Sequence, residues 1–69
     1  METLEIWISG ERKLFEAPLT VNTLLSELSL AGRRIAVELN GEIVPRSRFE
    51  AVLLANGDRL EIVTAVGGG

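Results

Sequence analysis

Apolar and polar residues alternate at the start of the chain, with Leu4, Ile6 and Ile8 on one side and Glu5, Trp7 and Ser9 on the other. That is the period of a half-buried strand. Gly10-Glu11 is suited to a tight turn, Arg12 to Glu16 forms a second short strand, and Pro18 closes the hairpin region. The period then changes. Val21, Leu24, Leu25 and Leu28 fall at i, i+3, i+4 and i+7, one face of a helix. Thr20 or Asn22 supplies its N-cap, although Thr23 in place of Glu denies Thr20 a full capping box. Gly32 is placed to end the helix in a left-handed conformation.

Alternation returns at Ile35, Val37 and Leu39 and runs into Asn40-Gly41, a strong two-residue hairpin signal. Glu42 to Val44 is the returning strand, which Pro45 stops or places at an edge. Between Arg46 and Ala55 the pattern is weak, and Phe49, Val52 and Leu53 suggest one helical turn laid across the core. Asn56-Gly57-Asp58 is a turn, and Arg59 to Val66 is the last strand. This strand carries Leu60 and Ile62 on one face and Val63 and Ala65 on the other. Two apolar faces belong to a strand that is central or covered. Strand, strand, helix, strand, short strand, strand describes an α+β fold, a mixed sheet of about five strands packed on one helix.

Composition narrows the chemistry. The 69 residues amount to one small domain, expected over 1–66, with a flexible glycine tail over 67–69. There is no cysteine and no histidine. Disulfides, most metal sites, nucleophilic triads and neutral-pH general bases go with them, so neither a catalytic residue nor a metal ligand is expected. The formal charge is −3 and the charges are interspersed. Nucleic acid is therefore not an expected partner, and no apolar run is long enough for a membrane span. The expected location is the cytoplasm, and the expected free state is a monomer.

The chain finishes Val66-Gly67-Gly68-Gly69. At average glycine usage a random sequence ends this way roughly once in several thousand chains, which argues against chance. Bare glycines offer no side chain to pack but make a thin thread carrying a carboxylate. Three extended residues reach roughly 10 Å, enough to enter a neighbouring pocket. An α-carboxyl of ordinary acidity, pKa about 3.3–3.7, is ionised at neutral pH and a poor electrophile until activated.

The order of elements and the glycine tail resemble the ubiquitin-like β-grasp fold. Within it, Asn40-Gly41-Glu42-Ile43-Val44-Pro45-Arg46 and Gly57-Asp58-Arg59-Leu60-Glu61-Ile62 resemble the thiamine-biosynthesis sulfur carriers, the ThiS family. The resemblance covers essentially the whole chain and implies a carrier, not an enzyme. Gly69 would be adenylylated by a ThiF-like adenylyltransferase, a ubiquitin-activating-like partner using ATP and magnesium, and then converted to a thiocarboxylate. A sulfur donor such as a cysteine desulfurase would supply the sulfur, and a ThiG-like thiazole synthase would receive it. This chain itself would bind no cofactor. Gly67 and Gly68 would thread into the partner, and Val63, Ala65 and Val66 would form a partner interface. The family's functional pair is the last two residues, so Gly67 is an additional glycine.

Alternative readings stand beside this one. The small subunit of molybdopterin synthase is also a β-grasp protein ending in Gly-Gly, and a protein-conjugating modifier would use the same activated carboxylate. A non-covalent β-grasp interaction module is the alternative from a different class. Val63 and Ala65 fit burial in a central strand as well as a docking surface. Trp7 is read first as cover for a second sheet face and second as a partner anchor. Arg46 and Arg59 are read as solvated or locally paired, and Asp58 as a turn residue.

Overall fold

Residues 2–64 are described by the structure, a computed structural model. Two hairpins form first along the chain. Strand β1 (Thr3–Ile8) and strand β2 (Glu11–Glu16) pair antiparallel in the register Ile8↔Glu11, Ile6↔Lys13, Leu4↔Phe15. Their turn is Ser9-Gly10, not Gly10-Glu11. Both central residues have positive φ, 48° and 86°, as a primed two-residue turn demands. Shifting the turn by one would force that conformation on Glu11, so the second strand starts one residue earlier than its sequence indicates. The second hairpin joins β3 (Ile35–Leu39) to β4 (Glu42–Val44) through Asn40-Gly41, with φ of 51° and 89°.

Strand β5 (Arg59–Thr64) unites the hairpins. The sheet order is β2-β1-β5-β3-β4, with β5 parallel to β1 and antiparallel to β3. Helix α1 (Val21–Glu27) covers one face of the sheet. Val21, Leu24 and Leu25 are buried among Leu4, Ile6, Ile8, Val37, Val44 and Leu60. All of these except Val44 are positions picked out by the two periodicities.

The helix ends are built from local chemistry. Thr20 is the N-cap, and its Oγ1 accepts from the Thr23 amide at 3.1 Å. The Val21 and Asn22 amides, otherwise orphaned, donate to the carbonyls of Val52 and Phe49 at 3.1 and 2.9 Å. Thr20→Ala is expected to lower stability by about 1 kcal/mol, read as a reduced denaturant midpoint with an unchanged slope.

Gly32 does not end the helix. Ser29, at φ 62°, takes the left-handed position, with Ser29 N–H donating to Ser26 O and Leu30 N–H to Leu25 O. That pair of bonds is the Schellman closure. Gly32 also has positive φ, but within the following turn.

The stretch after Pro45 is a short 3-10 helix (Arg46–Arg48) that delivers Phe49 to the core. Val52 is half-buried, whereas Leu53 is 64% exposed and Leu54 is buried in its place. Regular helix does not extend this far. The segment is held by the α1 amides and by the Leu54 N–H bond to Leu19 O, which set its facing residue by residue. The final turn is locked through Asp58. Its carboxylate accepts from the Ala55 amide at 2.8 Å and from Asn40 Nδ2 at 3.1 Å, while Asn40 Oδ1 accepts from the Arg59 amide. Asp58 is thus a turn residue, as its position suggested.

Candidate partner-docking face and the root of the tail

The helix covers one side of the sheet and leaves the other open. On β5, Leu60 and Ile62 face the core, so Arg59, Glu61 and Val63 face outward. The register places Trp7 beside Arg59, Ala36 opposite Val63, Glu38 opposite Glu61, and Ile43 opposite Glu38. Val63 is 62% exposed and Ile43 is 64% exposed; Leu14, on the same face of β2, is 56% exposed. Burial of Val63 within a central strand is therefore overturned. Centrality in the hydrogen-bonding direction supplies neighbours on either side but does not cover a face. Ala65, Val66, Gly67, Gly68 and Gly69 lie outside the described residues.

Charge on this face is unevenly partnered. At the β2–β1 side, the Arg12 guanidinium pairs with the Glu5 carboxylate, and Arg59 lies 5.9 Å from the Trp7 ring centroid, within cation–π range. Trp7 is half-buried there, in keeping with a residue that covers the outer face. At the β5–β3 side, neither Glu38 nor Glu61 has a salt-bridge partner among the described residues.

Beside the last described turn of β5, a cleft of about 440 Å³ is lined by Arg34, Ile35, Ala36, Arg46 and Val63. Arg46 is tied down locally, its Nη2 donating to the Arg33 carbonyl at 2.8 Å. No set of three or more acidic, histidine or cysteine side chains suitable for a metal occurs among the described residues. No described helix is long and apolar enough to cross a membrane. Among the described residues, the outer face of the sheet thus combines exposed apolar side chains with charged ones. Outward placement of Ala36 and Ile43 was not singled out from sequence, although the Asn40-Gly41 turn fixes 38 opposite 43. Reading that register would have exposed Ile43.

Residues 4–69 match the model of the ThiS family. The chain belongs to the ThiS family. A solved structure of the thiamine biosynthesis protein ThiS from Geobacter metallireducens superimposes with a TM-score of 0.81 at 33% identity, covering 96% of this chain and 100% of that one. The β-grasp architecture is shared between them. The sulfur carrier protein ThiS of Bacillus subtilis is 40% identical over 50 residues, 72% of this chain and 76% of its own. A thiazole synthase of Paramagnetospirillum magneticum is 47% identical over 66 residues, 96% of this ThiS-family chain but 20% of the longer relative. The chain thus spans about a fifth of that relative's length, and its counterpart there is one segment of a larger protein.

Proposed function

We propose that this chain is a sulfur carrier rather than a catalyst, and that the Gly69 carboxyl group carries the sulfur used to form the thiazole of thiamine. The observation that carries the reading is membership of the ThiS family across residues 4–69, which includes all three terminal glycines. The lack of cysteine and histidine adds to it, because no side chain here is suited to covalent sulfur relay at neutral pH.

The chemistry balances as follows. A Gly69 carboxylate oxygen attacks the α-phosphorus of ATP, the α–β phosphoanhydride bond breaks, and pyrophosphate leaves with magnesium. Two anions approach each other in this step, so the activating partner supplies the metal and the cationic groups. Hydrosulfide then attacks the acyl carbon, and AMP departs with the electron pair of the broken C–O bond, leaving a thiocarboxylate. A protein persulfide would first give an acyl disulfide, which a thiol then reduces. Glycine places no β-carbon beside the attacked carbon, and it accepts φ of either sign while threading a narrow channel. A thiazole synthase consumes the thiocarboxylate.

Intact-protein mass spectrometry tests the reading directly. After incubation with ATP, magnesium, the adenylyltransferase and a sulfur source, one oxygen should be exchanged for sulfur, and fragmentation should place the change at Gly69. Recovery of the free acid alone, with a partner shown to be active, would leave a non-covalent binding module as the better description.

A further inference from the structure

Strand β2 is the outermost strand at one side of the sheet, and its free edge is self-complementary. Residues 5, 7 and 9 direct their backbone groups toward β5 and the turn before it. Trp7 N–H donates to Asp58 O, Ser9 N–H donates to Leu60 O, and Glu5 O accepts from Gly57 N–H. Leu4, Ile6 and Ile8 therefore bond β2, through Phe15, Lys13 and Glu11 in the observed register. The Ala17 N–H bond to Glu2 O continues the same alternation. The N–H and C=O groups of Arg12, Leu14 and Glu16 are left pointing away from the sheet, and none has a partner among the described residues. Such a row of groups is a template for another strand.

A second copy of the strand fits this edge in one register. In an antiparallel pair about a two-fold axis, only residues with outward groups can bond each other, so Arg12, Leu14 and Glu16 must oppose one another. Centring the axis on Leu14 uses all three. Leu14 then meets its own counterpart, and each Arg12 meets the other copy's Glu16. Moving the axis to Lys13 or Phe15 loses a bonded pair, and moving it to Arg12 or Glu16 opposes like charges. Leu14 is exposed on the outer face, and Arg12 and Glu16 beside it are exposed too. Arg12 bonds Glu5 through Nε, and a guanidinium has further N–H groups at Nη for a second carboxylate. Within β2, Glu11 and Glu16 offset Arg12 and Lys13, so the edge does not share the chain's formal charge of −3.

We propose that two copies of this chain pair antiparallel through β2, with Leu14 on the two-fold axis and Arg12 of each copy bonded to Glu16 of the other. The pairing joins two five-stranded sheets into one. On the helix side, Lys13 meets the half-buried Phe15 of the other copy, beside a cleft of about 300 Å³ that Phe15 shares with Glu27 of α1. Lysine on an edge strand ordinarily discourages such pairing. Here its stem covers the ring and its ammonium gains a carboxylate, in exchange for an exposed contact with Glu11 at 3.7 Å. One short strand a side buries less than the about 1,200–2,000 Å² of a stable complex, so the pair is weak, half-formed at about 0.1–1 mM. Strand β1 stands between this edge and β5, and the pairing is independent of the carrier reading.

Sedimentation equilibrium of the whole chain, from about 10 µM to about 1 mM, reads the association, and wild type should pass from monomer toward dimer across that range. Glu16→Arg sets guanidinium groups against each other and should weaken pairing by about tenfold or more. Arg12→Glu should do the same with carboxylates. An equimolar mixture of the two single variants restores opposite charges at both pairs and should associate about as strongly as wild type. Leu14→Pro removes an outward N–H that the fold does not use, so that variant should be folded and monomeric. A thermal melt at low concentration checks the fold of each. Amide exchange at Arg12, Leu14 and Glu16 should slow as wild type is concentrated. A chain that stays monomeric throughout, or whose association ignores these substitutions, would overturn the proposal while leaving the carrier function standing. Association that both single variants lose and their mixture fails to regain would overturn it as well, because the charge pairs would not set the register.

Discussion

Removing Gly69 is expected to slow thiocarboxylate formation by at least about a hundredfold, given what small misplacements of a reacting group cost. The shortened chain still ends in a glycine carboxylate, so the reacting group is chemically the same. What changes is its position, which moves back by one extended residue, about 3.3–3.6 Å. The body should be unaffected. The last described pairing of β5 is Thr64 with Ile35, and the core residues of that strand are Leu60 and Ile62, well before the deletion. Changes remote from packed positions stay within about 0.5 kcal/mol, so the melting temperature should move by no more than about 4 °C. Mass spectrometry of a time course, alongside a thermal melt, reads both quantities on one sample. A variant loaded as quickly as wild type would show that the position of the carboxylate is not what the partner reads.

The largest effect on stability should come from Leu24→Ala. Leu24 is fully buried in α1 and belongs to the cluster formed with β1, β3 and β5. A Leu→Ala change in such a site costs about 2–5 kcal/mol, because surrounding groups only partly fill the space vacated. At about 0.05–0.15 kcal/mol per residue, a domain of this size has about 3–10 kcal/mol in total. The melting temperature should fall by about 10–30 °C, and at the upper end the variant would be largely unfolded near body temperature. Leu14→Ala provides the contrast, since that leucine is 56% exposed on the outer face of β2 and should lie within about 0.5 kcal/mol of wild type. If Leu24→Ala and Leu14→Ala melted together, the core would have been placed on the wrong side of the sheet.

Local signals in the sequence were sufficient to find both hairpins and the helix, though they misplaced the first turn by one residue and the helix end by three. Alternation at Leu4, Ile6 and Ile8 fixes which face of β1 is buried, and Asn40-Gly41 fixes the register of β3 with β4. The stretch after Pro45 was less legible because no period governs it. Its geometry comes from α1 amides meeting the carbonyls of Phe49 and Val52, contacts between parts of the chain that sequence distance separates. That is why Leu53 was expected inside and Leu54 is the buried residue. Ser29 escaped notice for a related reason, since glycine is the usual sign of a left-handed helix end and this helix does without it.

The proposed reactive group was conspicuous as three terminal glycines, whereas the face was only half visible. Val63 could be placed on the side of β5 away from Leu60 and Ile62, but nothing local told whether that side was covered. The opposition of Glu38 and Glu61 depends on how β5 aligns with β3 across some twenty residues of intervening chain. No local pattern encodes such a register.

The position of β5 also bears on how the molecule is made. The β1–β2 and β3–β4 hairpins come earlier in the chain and share no strand pairing with each other; β5 supplies the connection between them. During synthesis the two hairpins must therefore wait for residues 59–64 before one sheet can close. A product interrupted before residue 59 would lack the middle of its sheet and Leu60 from its core, leaving apolar faces open to cellular proteases. Completion of the sheet thus depends on translation reaching β5, the strand that joins its two halves.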